Sequence, residues 1–158
     1  MHNGLLYACR NGQVEVVRMI LQDRHQMNIN INEPFDNGYT CLSFACLNNH
    51  FEVCQWLLQQ TDLDTNIANI AFNHACIWGR TEIVILMLQM SSDQNINLNH
   101  RGFEGRTGFV QACQQKYEDI VDLLVTKSAK YNIDLNTRDD SGNSGYDYWH
   151  EKFPNHFK

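Results

Sequence analysis

Six cysteines and seven histidines are the residues of this chain best suited to chemistry, and their spacing limits what they can do. A zinc site needs four convergent nitrogen or sulfur donors at tight spacing. His74 and Cys76 stand two apart, with Cys46 thirty residues before Cys76, yet neither Cys-x-x-Cys nor His-x-x-x-His occurs. His2, His25, His50, His100, His150 and His156 are scattered. We therefore expect no metal and no cofactor. A cysteine nucleophile needs a polarising histidine and an exposed thiolate. Four thiols fall on an apolar helix face, as shown below; Cys41 is the one expected at the surface, and it lacks a specific partner. The chain has no Gly-rich phosphate loop, Gly-x-Ser-x-Gly or carboxylate constellation. Asp62 with Asp64, and Asp139 with Asp140, read as solvated turn acids. No enzyme is expected.

Those residues must sit on something, and composition bounds it. The 158 residues are 43% hydrophobic, enough for a continuous core in one domain. Twelve basic against 18 acidic residues give a formal charge of -6, the wrong sign for tracking phosphates, so nucleic acid is not an expected partner. No apolar stretch approaches the ~20 residues that span a bilayer, and Met1-His2-Asn3-Gly4 followed by Arg10 and Glu15 is no secretory leader. Free, packed thiols suit a reducing cytoplasm or nucleus.

Aligning the chain with itself exposes a repeat. Ala-Cys occurs at Ala8-Cys9, Ala45-Cys46, Ala75-Cys76 and Ala112-Cys113, at intervals of 37, 30 and 37 residues. Seven residues after each Ala stands an acid: Glu15, Glu52, Glu82 and Asp119. Apolar pairs follow, first Val16-Val17, Val53-Cys54, Ile83-Val84 and Ile120-Val121, then Ile20-Leu21, Leu57-Leu58, Met87-Leu88 and Leu124-Val125. Offsets of 8, 9, 12 and 13 form one helical stripe, so each unit is two short helices broken near offset 4, where Gly12 and Gly79 stand. Next comes an alternating arm: Asn30-Ile31-Asn32, Asp64-Thr65-Asn66, Asn97-Leu98-Asn99 and Asp134-Leu135-Asn136. Six residues after three of these arms come Gly38, Gly105 and Gly142, each leading to a good N-cap at Thr40, Thr107 or Ser144.

This order resembles the ankyrin repeat: Gly-x-Thr-x-hydrophobic-x-x-Ala, then an acid with an apolar pair, then Leu-Leu, then Asp-x-Asn. The closest pieces are Gly38-Tyr39-Thr40-Cys41-Leu42-Ser43-Phe44-Ala45 and Val14-Glu15-Val16-Val17. The resemblance covers essentially the whole chain. It implies an all-α ankyrin-repeat solenoid of stacked helix-turn-helix units with β-hairpin-like loops. The units run about 1–36, 37–66, 67–103 and 104–140, with a C-terminal cap at 141–158. Four departures stand out. Cys41, Gly108 and Gly145 replace the family's Pro. Ser43, Asn73 and Val110 replace its His, which puts the bridging hydrogen bond between repeats in doubt. Unit three lacks four residues and any Gly in its approach, so its hairpin is expected to be stunted or absent. Trp149 stands where Ala belongs and is expected to close the stack, with Pro154 ending the last helix.

Relatives of this kind bind proteins through hairpin tips and the exposed side of the first helices. The resemblance thus implies a monomeric protein-interaction module, a scaffold, adaptor or inhibitor; the alternative is a recruiting domain cut from a larger enzyme or effector. Its contact residues would be Asp36, Asn37 and Tyr39, then Asn48, Trp78 and Arg80, then Phe103, Glu104, Arg106 and Gln115. Trp78 admits two readings. It is an interface anchor, since Trp, Tyr and Arg dominate hot spots, or it folds over the gap beside it as core. Asparagine is abundant, at 18 residues, mostly in arms and tips where turn chemistry accounts for it. Family hairpins also include hydroxylated Asn, which here would fall on Asn66 and Asn136.

Overall fold

The computed structural model describes residues 3–35 and 38–150. Among them are four helix pairs: α1 (Asn3–Arg10) with α2 (Val14–Asp23), α3 (Cys41–Leu47) with α4 (Phe51–Leu58), α5 (Thr65–Ile77) with α6 (Thr81–Met90), and α7 (Gly108–Gln115) with α8 (Glu118–Tyr131). A closing helix, α9 (Gly145–His150), follows. First helices pack in one row, α1 on α3 on α5 on α7 on α9, and second helices in another, α2 on α4 on α6 on α8. The structure is all-α, with adjacent helix pairs stacked in a repeat.

The self-aligned pattern explains the stacking. Ala8, Cys9, Ala45, Cys46, Ala75, Cys76, Ala112 and Cys113 are fully buried, and these small side chains let first helices approach closely. Val17, Val53, Cys54, Leu57, Ile83, Met87, Ile120 and Leu124 fill the space between the rows. Within each pair the chain turns through one left-handed residue: Gly12, Asn49, Gly79 and Lys116, all four residues after the Ala. At Gly79, with φ +67°, a Cβ would also stand 2.7 Å from the Tyr117 ring, so glycine answers both demands there.

Helix starts follow the predicted caps. Thr40 Oγ1 accepts from Ser43 N at 3.3 Å and Thr107 Oγ1 from Val110 N at 3.4 Å. Ser144 and Asp147 cap each other's amides, a reciprocal capping box at α9. The missing Pro also has a reason at two starts. A Cβ on Gly108 would lie 2.7 Å from the Phe72 ring, and one on Gly145 2.6 Å from the Phe109 ring. Each of these glycines makes room for the aromatic of the preceding unit.

The connecting loops differ from the β-hairpins the resemblance implies. Among the described residues no strand forms; an isolated bridge joins Arg138 and Ser144. Each finger is instead a tight turn spanned by a main-chain bond of 2.9 Å: Phe35 N to Tyr39 O, Gly102 N to Arg106 O, and Asp139 N to Asn143 O. The arms turn on their own side chains, with Asn32, Asn66, Asn99 and Asn136 N donating to the Oδ1 of Asn30, Asp64, Asn97 and Asp134. They join to the next unit by asparagine clamps rather than a ladder. Asn32 Nδ2 donates to Asp62 O while its Oδ1 accepts from Asp64 N; Asn99 does the same with Asn132 O and Asp134 N.

Unit three breaks the pattern. Capped by Asp64, α5 starts at Thr65 and runs 13 residues, so helix replaces both arm and finger. Asn66 therefore lies on the helix, and Asn69, one turn on, takes over the clamp by accepting from Asn97 N at 2.7 Å. The bridging bond doubted for the lost His is present in this unit: Asn73 Nδ2 donates to His100 O at 3.0 Å and to Arg106 O at 3.4 Å. At the far end Trp149 is fully buried and α9 packs on α7; Pro154 lies outside the described residues.

Candidate partner-binding site

Because unit three has no finger, a cleft of about 560 Å³ opens over α5. Its floor is the outer stripe of that helix, Ile70, His74, Ile77 and Trp78, with Asn73 deeper. One wall is the unit-two finger at Gly38 and Tyr39, and the other the unit-four finger at His100, Gly102 and Phe103. Tyr39 stacks on His74 at 5.2 Å and on Trp78 at 5.9 Å between ring centroids, and His74 lies 4.8 Å from Trp78. Those stacks fix the aromatic floor. Phe103 is 77% exposed at the rim, and Ile70 is 40% exposed. A concave, largely apolar surface with a few fixed polar atoms is a surface for binding.

Its electrostatics point the same way. No carboxylate, lysine or arginine lines the cleft. Burial pushes the His74 imidazole down to about 4, so the ring is neutral near pH 7. The thiols are equally unreactive, because all six are buried. Cys41, expected at the surface, is only 3% exposed; it packs beside Cys9, whose thiol a hydrogen bond donated to Cys41 and burial both hold far above its ordinary range. Burial raises Cys113 to about 12 and Cys76 further. No group of three or more His, Cys, Asp or Glu that could hold a metal is found among the described residues. Nothing in this arrangement activates a nucleophile or moves a proton.

Residues 2–69 match a known protein family. The family model that matches them is described as ankyrin repeats, three copies, and it spans the first two helix pairs and the start of α5. A serine/threonine-protein kinase of Mus musculus, TNNI3K, is 33% identical over 82 residues, which cover 48% of this chain. The aligned part is 10% of the kinase, so this chain spans about a tenth of that relative.

Beyond the ankyrin match the structure continues the same pairing through α8, and the expected contact residues divide between the two parts. Tyr39 and Phe103, on the two flanking fingers, and Trp78, at the end of α5, meet at the cleft. Trp78 is half-buried, one face stacked and the rest lining the cleft, which lies between its two readings. Asn48 and Gln115 are exposed at the ends of α3 and α7, away from the cleft. Arg80 is engaged inside the stack, its Nε and Nη2 donating to Leu47 O at 3.1 and 2.6 Å. Arg106 is likewise turned inward, paired with Glu104 at 2.5 Å and with the fully buried Asp139 carboxylate at 3.3 Å, and lying over the Tyr148 ring. Glu104 sits at the finger tip with φ 54°. Asp36 and Asn37 lie outside the described residues.

Asn73, His74, Ile70 and His100 are cleft residues that the sequence reading did not select. A signal for the outer floor positions was present. Ile70, His74, Ile77 and Trp78 are spaced i, i+4, i+7 and i+8, a second apolar-aromatic stripe on the side of α5 opposite the Ala-Cys stripe. A helix apolar on two sides must cover both.

Proposed function

We propose that this chain is a protein-interaction module that grips its partner with the finger tips and the exposed side of the first helices, centred on the cleft over α5. The convergence of Tyr39, Trp78 and Phe103 carries this reading: three large aromatics, two from the flanking fingers and one from the end of α5, meet at one partly exposed concavity, and aromatic anchors in such places dominate binding energy. The module acts as a scaffold, adaptor or inhibitor. It works as a monomer in a reducing cytoplasm or nucleus, where its six packed thiols stay reduced. The test is affinity capture from the source cell with wild type and a Trp78→Ala/Phe103→Ala double variant. The variant should lose the proteins that wild type recovers; equal recovery of the same proteins refutes the reading.

A second reading has its own support. The chain spans a tenth of a serine/threonine-protein kinase that it resembles over 82 residues. In that reading the module recruits substrates for a catalytic part elsewhere on a longer polypeptide. A continuous open reading frame extending beyond these residues into an enzyme domain supports it, and stop codons on both sides refute it.

A further inference from the structure

The floor of the cleft carries two polar atoms that the fold leaves over. Asn73 is 4% exposed, and its Nδ2 is used, yet its Oδ1 has no hydrogen-bond partner among the described residues. The adjacent His74 Nδ1 is also buried without a partner there. Natural folds rarely leave buried acceptors unpaired, so such atoms call for an explanation. Both residues line the cleft.

The Asn73 amide already shows what α5 recognises. Its NH2 end binds main-chain carbonyls of the neighbouring finger, His100 O and Arg106 O. The other end is an acceptor left unpaired on a residue that lines the cleft. A neutral imidazole with its hydrogen on Nε2 adds a second acceptor at Nδ1. Two adjacent acceptors, apolar walls and no charged side chain suit main-chain N–H groups carrying an uncharged side chain.

We propose that the cleft receives an uncharged peptide segment of the partner protein, which seats one apolar side chain between Tyr39, Trp78 and Phe103 and donates N–H groups to Asn73 Oδ1 and His74 Nδ1. The segment takes the place of the finger that unit three lacks. This rests on reading the chain as a protein-interaction module.

The test pans a random-peptide phage library on the full chain and measures enriched synthetic peptides by fluorescence polarisation. Three variants are compared, each checked for native circular dichroism. Ile70→Arg puts a charge on an exposed floor position. His74→Phe keeps a ring for the Tyr39 and Trp78 stacks but removes the acceptor. Gln115→Arg alters the same helix row outside the cleft. Enriched peptides should be uncharged around one apolar anchor. Ile70→Arg should weaken them about tenfold and His74→Phe about three- to tenfold, each by more than Gln115→Arg does. Peptides centred on charged residues, or no enrichment, overturn the proposal. So does binding that withstands both Ile70→Arg and His74→Phe. If such binding falls with Gln115→Arg instead, the cleft is wrong while the first-helix face remains the binding surface.

Discussion

Units three and four are led into by similar sequences, Asp64-Thr65-Asn66 and Asn97-Leu98-Asn99, yet they dispose of their polar and apolar side chains in opposite ways. In unit four the arm leads to a finger whose Arg106 turns inward: it pairs with Glu104 and with buried Asp139, and Tyr148 donates to the same carboxylate at 2.6 Å. In unit three the helix starts at once, and what shows outward is Ile70, His74, Ile77 and Trp78. A finger of polar residues covers the first helix beneath it. Replacing that finger by helix uncovers an apolar stripe. The lesson is that a repeat fold can make a binding surface by leaving a part out, provided the stack beneath it holds.

That proviso gives the largest expected effect. Phe72 is fully buried under the altered unit, its ring filling the room left by Gly108. Phe72→Ala should cost about 3–5 kcal/mol, the usual range for emptying a packed aromatic site. Urea unfolding measures it. A cost near that of a surface change would mean that unit three is loosely held, and that the cleft is a weak spot rather than a built surface.

The clamp gives the next. Asn69 stands on α5 where the regular arm would place the clamping Asn, and its buried Oδ1 accepts from Asn97 N. Asn69→Ala leaves that amide without its acceptor and should cost about 1–3 kcal/mol. Asn66, which aligns with the clamps Asn32 and Asn99 in sequence, is exposed on the helix; Asn66→Ala should stay within about 0.5 kcal/mol. The reverse order of effects would show that the clamp has not moved.

This shift marks where sequence reading stops. The helix pairs were legible because Ala-Cys, the acid and the apolar pairs recur at fixed offsets, and each offset maps to a helical face. The caps Thr40, Thr107 and Ser144 were legible because a cap acts within three residues. The clamps were not. Asn32 bonds to residues 62 and 64 and Asn99 to residues 132 and 134, so their partners lie about thirty residues away, beyond any local pattern. Arginines posed the same difficulty: nothing near Arg80 in the chain tells that its guanidinium will reach Leu47 O. Trp78 was legible as an irregularity, since its counterparts Asn11, Asn48 and Gln115 are polar, whereas His74 was weighed only as a metal ligand.

His74 also makes the comparison pH-dependent. In the folded chain burial lowers it to about 4, against 6.5 for the free side chain. Between those values the unfolded chain binds the extra proton, so stability falls as pH drops from about 6.5 to about 4 and levels off below. Asp139 acts in a lower window. Burial raises its carboxyl, but bonds from Tyr148, the Asn143 amide and Arg106 outweigh that and hold it below its ordinary 3.8, so its contribution is lost only in stronger acid. His74→Phe should therefore flatten the loss between pH 6.5 and 4 and leave the acid-end loss intact. An unchanged slope in chemical unfolding across that window would place the titrating group elsewhere.

Phe103→Ala should have the smallest effect on stability and is the sharpest test of the contrast. Phe103 belongs to the finger of unit four, whose other side chains brace the fold, yet it is 77% exposed and faces the cleft of unit three. Removing an exposed side chain changes stability by no more than about 0.5 kcal/mol. If the finger served only to brace unit four, the variant would be silent in binding as well as in urea unfolding. If Phe103 is one wall of the surface that unit three opens, peptide affinity should fall while the unfolding midpoint stays. A midpoint that falls along with affinity would make Phe103 part of the brace and confine the binding surface to α5 and the Tyr39 finger.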